Sequence, residues 1–168
     1  MEIVNRKLIV ILGMHRSGTS AITRALQVMS VNLGSNLMPP VEGVNPKGFW
    51  EDIDLNALNI EMLTAIGLSW DSLSIVTPAM VDKLIEKGYQ IRALEMLAEK
   101  IELYGVFGFK DPRVTKLLPF WLKVFDGCDF PTQFVVSIRN PMSVVESLKK
   151  RDDFDREKSY LLWLESVV

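Results

Sequence analysis

The spacing of apolar residues alternates along the chain between short continuous runs and a helical repeat, and this alternation predicts strands that alternate with helices. Short apolar runs predict strands at 7–12, 106–110 and 133–138, with the first strand buried on both faces. Apolar residues at helical spacing predict helices at 18–29, 55–66, 80–103, 114–125, 141–151 and 156–168, with a break or bend in the third at Gly88. This order predicts an α/β domain with a parallel sheet, helices on its faces and right-handed crossovers.

Two stretches depart from this alternation. Residues 31–50 contain Gly34, Pro39, Pro40, Gly43, Pro46 and Gly48, which predicts a long loop of the kind that is often functional. The last predicted helix runs to Val168, and no strand follows on which its apolar face could pack. We therefore expect a single domain over residues 1–168 that lacks a C-terminal part.

Composition and charge narrow the class of protein. The 168 residues are 48% hydrophobic and carry a net charge of −2, values typical of one globular domain and unlike those of a general nucleic-acid-binding protein. The single Cys128 cannot form an internal disulfide, which favours the reducing cytoplasm, and the single His15 excludes a site with several imidazole ligands. The longest purely aliphatic run, residues 8–12, is too short to span a membrane.

The strongest motif is the glycine-rich stretch between the first predicted strand and the helix after it, residues 13–20 (GMHRSGTS). Glycines let the main-chain N–H groups point inward, and the start of a helix adds partial positive charge, so this motif predicts a phosphate site. Thr19 stands where nucleotide triphosphatases have a lysine, and the cation is Arg16 instead. The predicted anion ligands are Arg16, Ser17, Gly18, Thr19 and Ser20.

A second phosphate site is predicted after the third strand. Arg139 follows the strand directly, and Ser147 lies eight residues later in the next helix. An arginine at the end of a strand and a hydroxyl about two turns into the following helix can hold one phosphate together.

Residues 15–20 (HRSGTS) resemble the 5′-phosphosulfate-binding loop of sulfotransferases, with Arg16 in place of its lysine, and are similar to the version found in bacterial sulfotransferase-like families. The pair Arg139 and Ser147 resembles the 3′-phosphate motif of the same family. Residues 45–51 and 109–113 are also similar to it, so the resemblance extends from about Leu8 to the end of the chain. It implies a P-loop NTPase-like three-layer domain with a central parallel sheet flanked by helices.

The resemblance also implies an activity: transfer of a sulfuryl group from 3′-phosphoadenosine 5′-phosphosulfate (PAPS), without a metal, to a hydroxyl or amine of a small molecule, carbohydrate or lipid. Arg16 would neutralise the bridging oxygen as the S–O bond breaks. Pro112 stands where cytosolic members have their histidine base, so Glu51 is the first candidate base, with Glu42 and Asp52 behind it and His15 as a further candidate.

Two other functions remain open from the residues alone. A nucleotide kinase or hydrolase would use the same loop with Mg-ATP, and Asp111 or Ser20 would hold the magnesium. Alternatively, the chain is a non-catalytic nucleotide-binding fragment.

The contact for the adenine ring differs from the pattern of the resembled family. Many sulfotransferases stack adenine on a tryptophan where this chain has Ala21, so the adenine would need another contact. Trp70, Trp121 and Trp163 lie within helical apolar patterns and are predicted to be core residues.

Overall fold

A computed structural model describes residues 6–43 and 45–167 of the chain. In chain order, the elements are β1 (Lys7–Leu12), α1 (Thr19–Val28), α2 (Ile53–Ala65), α3 (Pro78–Glu86), α4 (Tyr89–Tyr104), β2 (Val106–Lys110), α5 (Pro112–Lys116), α6 (Leu118–Asp126), β3 (Thr132–Val136), α7 (Pro141–Asp152) and α8 (Arg156–Glu165). The predicted α/β class is confirmed, since a three-stranded parallel sheet is flanked by helices.

The strand order is β2-β1-β3, so the first strand of the chain is central. Val10 of β1 is in register with Phe109 of β2 and Phe134 of β3, and both pairings are parallel. β1 is almost entirely buried, as its apolar run predicts. Parallel pairing places the C-terminal ends of all three strands at one edge of the sheet, where the segments after Leu12, Lys110 and Val136 meet.

Local sequence signals explain where most helices begin and end. The Asp52 side chain caps α2 by accepting hydrogen bonds from the N–H groups of Asp54 and Leu55. Gly88 has a left-handed φ of 81° and separates α3 from α4, so the break predicted there is confirmed. The helix predicted at 114–125 is instead two helices, because Pro119 has no N–H group and its ring would clash with the preceding turn.

The core lies between the sheet and helices α2 to α6. Trp121 is fully buried at its centre among Phe107, Phe109 and Phe120, as predicted. Trp70 and Trp163, also predicted as core residues, are only half-buried and pack at the edge of a second apolar cluster beside α7 and α8. The third strand runs from 132 to 136 rather than to 138, and Val168 of the last predicted helix lies outside the described residues. Within the described part of the chain, no helix combines the length and the apolar character needed to cross a membrane.

Candidate functional site

The loop between β1 and α1 curves around an open space at the C-terminal edge of the sheet. Arg16 and Gly18 have left-handed φ values of 69° and 88°, which turn the chain sharply into α1. The N–H of Ser17 donates to the Met14 carbonyl at 3.1 Å, and the Ser17 carbonyl accepts from Ser137 Oγ at 2.8 Å. Within residues 6–43 and 45–167, no side chain caps α1, and its first turn has no acidic residue, so its partial positive charge faces the open space.

Gly13 allows the loop to leave β1 beside the end of β3. Its φ is +152°, and a Cβ atom at this position would lie 2.6 Å from the Ser137 carbonyl oxygen and 2.9 Å from Thr19 Cγ2. The Gly13 N–H donates to Thr115 Oγ1 at 2.9 Å. The close approach of the two strand ends therefore requires a residue without a side chain.

The structure brings the two predicted phosphate motifs together. Arg16 Nε donates to Ser147 Oγ at 2.7 Å, and Arg139 Nη1 donates to the Arg16 carbonyl oxygen at 3.0 Å. Partial burial, followed by the charge of Arg151, lowers the pKa of Arg16, whereas Asp152 opposes this effect. Cationic side chains are thus held close together in this region of the site, although residues 16 and 139 are far apart in the sequence.

Glu51 lies in a buried ion pair at the wall of the site. Its side chain accepts from Lys110 Nζ at 2.6 Å and from Asn56 Nδ2 at 2.9 Å, and only 4% of the residue is exposed. Burial, together with the nearby charge of Asp111, raises the pKa of Glu51, although Lys110 acts in the opposite direction. Lys110 Nζ also donates to Ser20 Oγ at 3.3 Å, so one ammonium group joins this carboxylate to the glycine-rich loop.

The other two carboxylates considered as bases do not line the cavity. Asp52 is buried, caps α2 and forms an ion pair with Lys100. Glu42 is exposed. Among the three predicted acids, Glu51 is the one that the fold places at the cavity.

Both carboxylate oxygens of Asp111 accept hydrogen bonds. Its Oδ2 accepts from Asn56 and Asn59, and its Oδ1 accepts from the main chain and the guanidinium of Arg113. Asn59 in turn accepts from Trp121 Nε1 at 2.9 Å, which links the network to the core. Sequence reasoning missed both asparagines, although two polar residues among the buried apolar positions of α2 are a signal that could have revealed them.

His15 packs beside the loop against Trp70, with ring centroids 4.3 Å apart. Its Nε2 is buried and finds no hydrogen-bond partner among the residues that the structure describes. Burial, and then the charge of Arg113, lower the pKa of His15 well below 6.5. The imidazole is therefore neutral near pH 7, and its orientation depends on ring packing.

The open space beside the glycine-rich loop is a cavity of about 990 Å³. The predicted residues that line it are His15, Arg16, Gly18, Thr19, Ser20, Glu51 and Arg139. The cavity wall is strongly cationic although the whole chain is slightly acidic, since its charged residues are Arg16, Arg24, Lys47, Lys110, Arg113, Arg139 and Arg151 against Glu51 and Asp152. Such a wall suits a polyanionic ligand.

Comparisons of this chain with family models, with curated proteins and with solved structures find no match. Across residues 6–43 and 45–167, no group of three or more His, Cys, Asp or Glu side chains is arranged to hold a metal ion.

Proposed function

We propose that this chain is a PAPS-dependent sulfotransferase of P-loop NTPase-like fold that transfers a sulfuryl group to a hydroxyl or amine acceptor. One observation carries the proposal: Arg16 of the glycine-rich loop contacts both Ser147 and the Arg139 side chain, the two residues predicted to bind a second phosphate. A nucleotide with anionic groups at both its 3′ and 5′ positions needs two neighbouring anion sites. The convergence of the two motifs supports such a ligand.

In this proposal, the main-chain N–H groups of residues 16–20 and the start of α1 bind the 5′-phosphosulfate. Arg139 binds the 3′-phosphate by charge-assisted hydrogen bonds. Ser147, the predicted partner of Arg139, does not line the cavity itself; its hydroxyl accepts a hydrogen bond from Arg16 and keeps a proton that it can donate to the phosphate. The cationic wall compensates the ligand charge, so the binding of the nucleotide would not depend on a metal. The single free Cys128 fits action in the cytoplasm.

The chemical step requires charge stabilisation and a proton acceptor. As the bond from sulfur to the bridging oxygen of the phosphosulfate breaks and a bond from sulfur to the acceptor forms, Arg16 stabilises the negative charge on that oxygen. Glu51 accepts the acceptor's proton, and its raised pKa, due first to burial, favours this role. His15 is the alternative base, because its imidazole is neutral and can accept a proton; burial, which lowers its pKa, makes it a weaker proton acceptor than an exposed histidine.

The contacts of Asp111 favour this function over a magnesium-dependent kinase or hydrolase. Both oxygens of its carboxylate accept hydrogen bonds, from Asn56 and Asn59 on one side and from Arg113 on the other. A magnesium ion at this carboxylate would have to displace these donors. In the proposed sulfotransferase, Asp111 keeps its hydrogen bonds from Asn56, Asn59 and Arg113 and so holds Arg113 in place.

Calorimetric titration of the whole chain tests the proposed function. We expect 3′-phosphoadenosine 5′-phosphate (PAP) to bind more tightly than ATP, with an affinity that EDTA does not change. Tighter binding of Mg-ATP would support the kinase or hydrolase instead. PAP formation from PAPS then tests the base in His15→Gln and in Glu51→Gln, the latter at a temperature at which circular dichroism shows it to be folded. The variant of the true base loses turnover while it still binds PAP.

A further inference from the structure

Helix α7 presents two polar residues to the glycine-rich loop. Ser147 and Arg151 are four residues apart, which places them on one face of the helix about one turn from each other. Val144 and Leu148 are buried against Met14 of the loop. The helix therefore lies beside the loop, with Ser147 bonded to Arg16 and Arg151 at the cavity wall.

The Arg151 side chain is held in place, unlike its basic neighbours. Its guanidinium carbon lies 5.1 Å from the centre of the Trp70 ring, and its Nε donates to Asp152 Oδ2 at 2.7 Å. The side chain is only 19% exposed, whereas Lys149 and Lys150 are exposed. An arginine fixed in this way loses little conformational entropy when it binds an anion.

Arg151 also belongs to a cluster of guanidinium groups around the same space. Arg16, Arg139 and Arg151 all line the cavity, and the Arg151 charge contributes to the lowered pKa of Arg16 after burial. Like charges held so close together repel each other. A bound phosphate would relieve this repulsion and accept hydrogen bonds from more than one guanidinium.

We propose that Arg151 is a further binding residue for the 3′-phosphate of the donor nucleotide. This inference rests on the proposed function. Among the described residues, those that line the cavity include Arg151 and not Ser147, whose hydroxyl accepts a hydrogen bond from Arg16. Arg151 therefore extends the 3′-phosphate site by one helical turn and supplies it with a planar cation, while Trp70 and Asp152 position that cation.

The test compares two nucleotides that differ only in the 3′-phosphate, PAP and adenosine 5′-phosphate (AMP), on the whole chain. Arg151→Met removes the charge and keeps a side chain that can cover Trp70, and Arg151→Lys keeps the charge without the planar fork. We expect Arg151→Met to weaken PAP binding about tenfold, Arg151→Lys to weaken it less, and AMP binding to stay within about twofold. The exposed neighbour Lys150→Met is the matched control and should leave the ratio of the two affinities unchanged.

Each result distinguishes this inference from the proposed function. If the wild-type chain prefers PAP to AMP and Arg151→Met retains that preference, the inference is wrong and the proposed function stands. If Arg151→Met weakens the binding of PAP and of AMP equally, Arg151 affects the conformation of the loop or the overall charge of the site rather than the 3′-phosphate, and the inference is again wrong. If the wild-type chain shows no preference for PAP, both proposals fail. Because the readout is a ratio of affinities in one variant, a moderate loss of stability does not alter it.

Discussion

Arg16 Nε donates a hydrogen bond to Ser147 Oγ at 2.7 Å, although the two residues are 131 positions apart in the chain. The same Arg16 accepts a hydrogen bond from Arg139 through its carbonyl oxygen. One arginine thus joins the loop after β1 to the strand end and helix after β3. If the site binds PAPS, Arg16 lies between the 5′-phosphosulfate and the 3′-phosphate of the ligand. Substitutions of Arg16 and of Arg139 can then show separately which residue serves the transfer step and which serves binding of the 3′-phosphate.

Arg16→Asn should reduce turnover more than nucleotide affinity. Asparagine tolerates the left-handed φ of 69° at this position, so the change removes the charge with little backbone strain. We expect the rate of PAP formation from PAPS to fall by about 10²–10³-fold and the Kd for PAP to rise by less than about tenfold, because Arg16 stabilises charge that develops in the transition state. Unchanged turnover would remove Arg16 from the chemical step.

Arg139→Ala should weaken PAP and leave AMP nearly unaffected. Arg139 is exposed, so the loss should be about 1–2 kcal/mol, less than that for a buried charge pair. Calorimetric titration with both nucleotides measures it, and Lys149→Ala, which removes an exposed cation of α7, is the control. Equal losses for PAP and AMP would mean that Arg139 acts on the fold or on the overall charge rather than on the 3′-phosphate.

Glu51→Gln should destabilise the fold. Lys110 is 2% exposed, and the substitution leaves its ammonium group without its carboxylate partner at 2.6 Å. We expect the free energy of unfolding to fall by about 3–5 kcal/mol, and the double variant Glu51→Gln/Lys110→Met to recover part of this loss. Urea denaturation of the two variants measures both values. A cost below about 1 kcal/mol for the single change would show that the pair contributes little to stability.

The stability of the chain should depend on pH through His15. Burial, and then Arg113, lower the folded-state pKa of His15 well below 6.5. The unfolded chain takes up a proton first as the pH falls, so the stabilising contribution is present above about pH 6.5 and is lost as the pH falls through the folded-state value. Between about pH 7.5 and 5.5, the wild type should lose about 1 kcal/mol more unfolding free energy than His15→Gln. Parallel pH curves for the two proteins would contradict this expectation.

Gly13→Ala should disrupt the loop. The added Cβ would lie 2.6 Å from the Ser137 carbonyl oxygen, a contact that forces the ends of β1 and β3 apart. We expect a loss of about 2–5 kcal/mol of unfolding free energy together with weaker PAP binding. Gly67→Ala is the matched control: it has a φ of +75° with nothing within 4 Å of the added atom, and should cost about 1 kcal/mol.

The sequence by itself determined the parallel α/β order and the position of the glycine-rich loop. The apolar run at 7–12 predicts a strand that is buried on both faces. The glycine-rich residues 13–20 after it lead into a helix whose N-terminus faces the loop. The spacing of Arg139 and Ser147 likewise identified a candidate pair within one local segment. These features depend on residues that are close together in the chain, so local patterns are enough to reveal them.

Only the tertiary structure decided which distant groups meet. Glu51 follows a long loop and Lys110 ends a strand, and their ion pair exists because α2 and β2 pack in the same core. The local pattern did not distinguish Arg151 from Lys149 and Lys150. Arg151 differs from them because its guanidinium packs over the ring of Trp70, a residue from another part of the chain. Contacts of this kind depend on how elements pack, and packing is determined by the shape of the whole core rather than by the spacing of neighbouring residues.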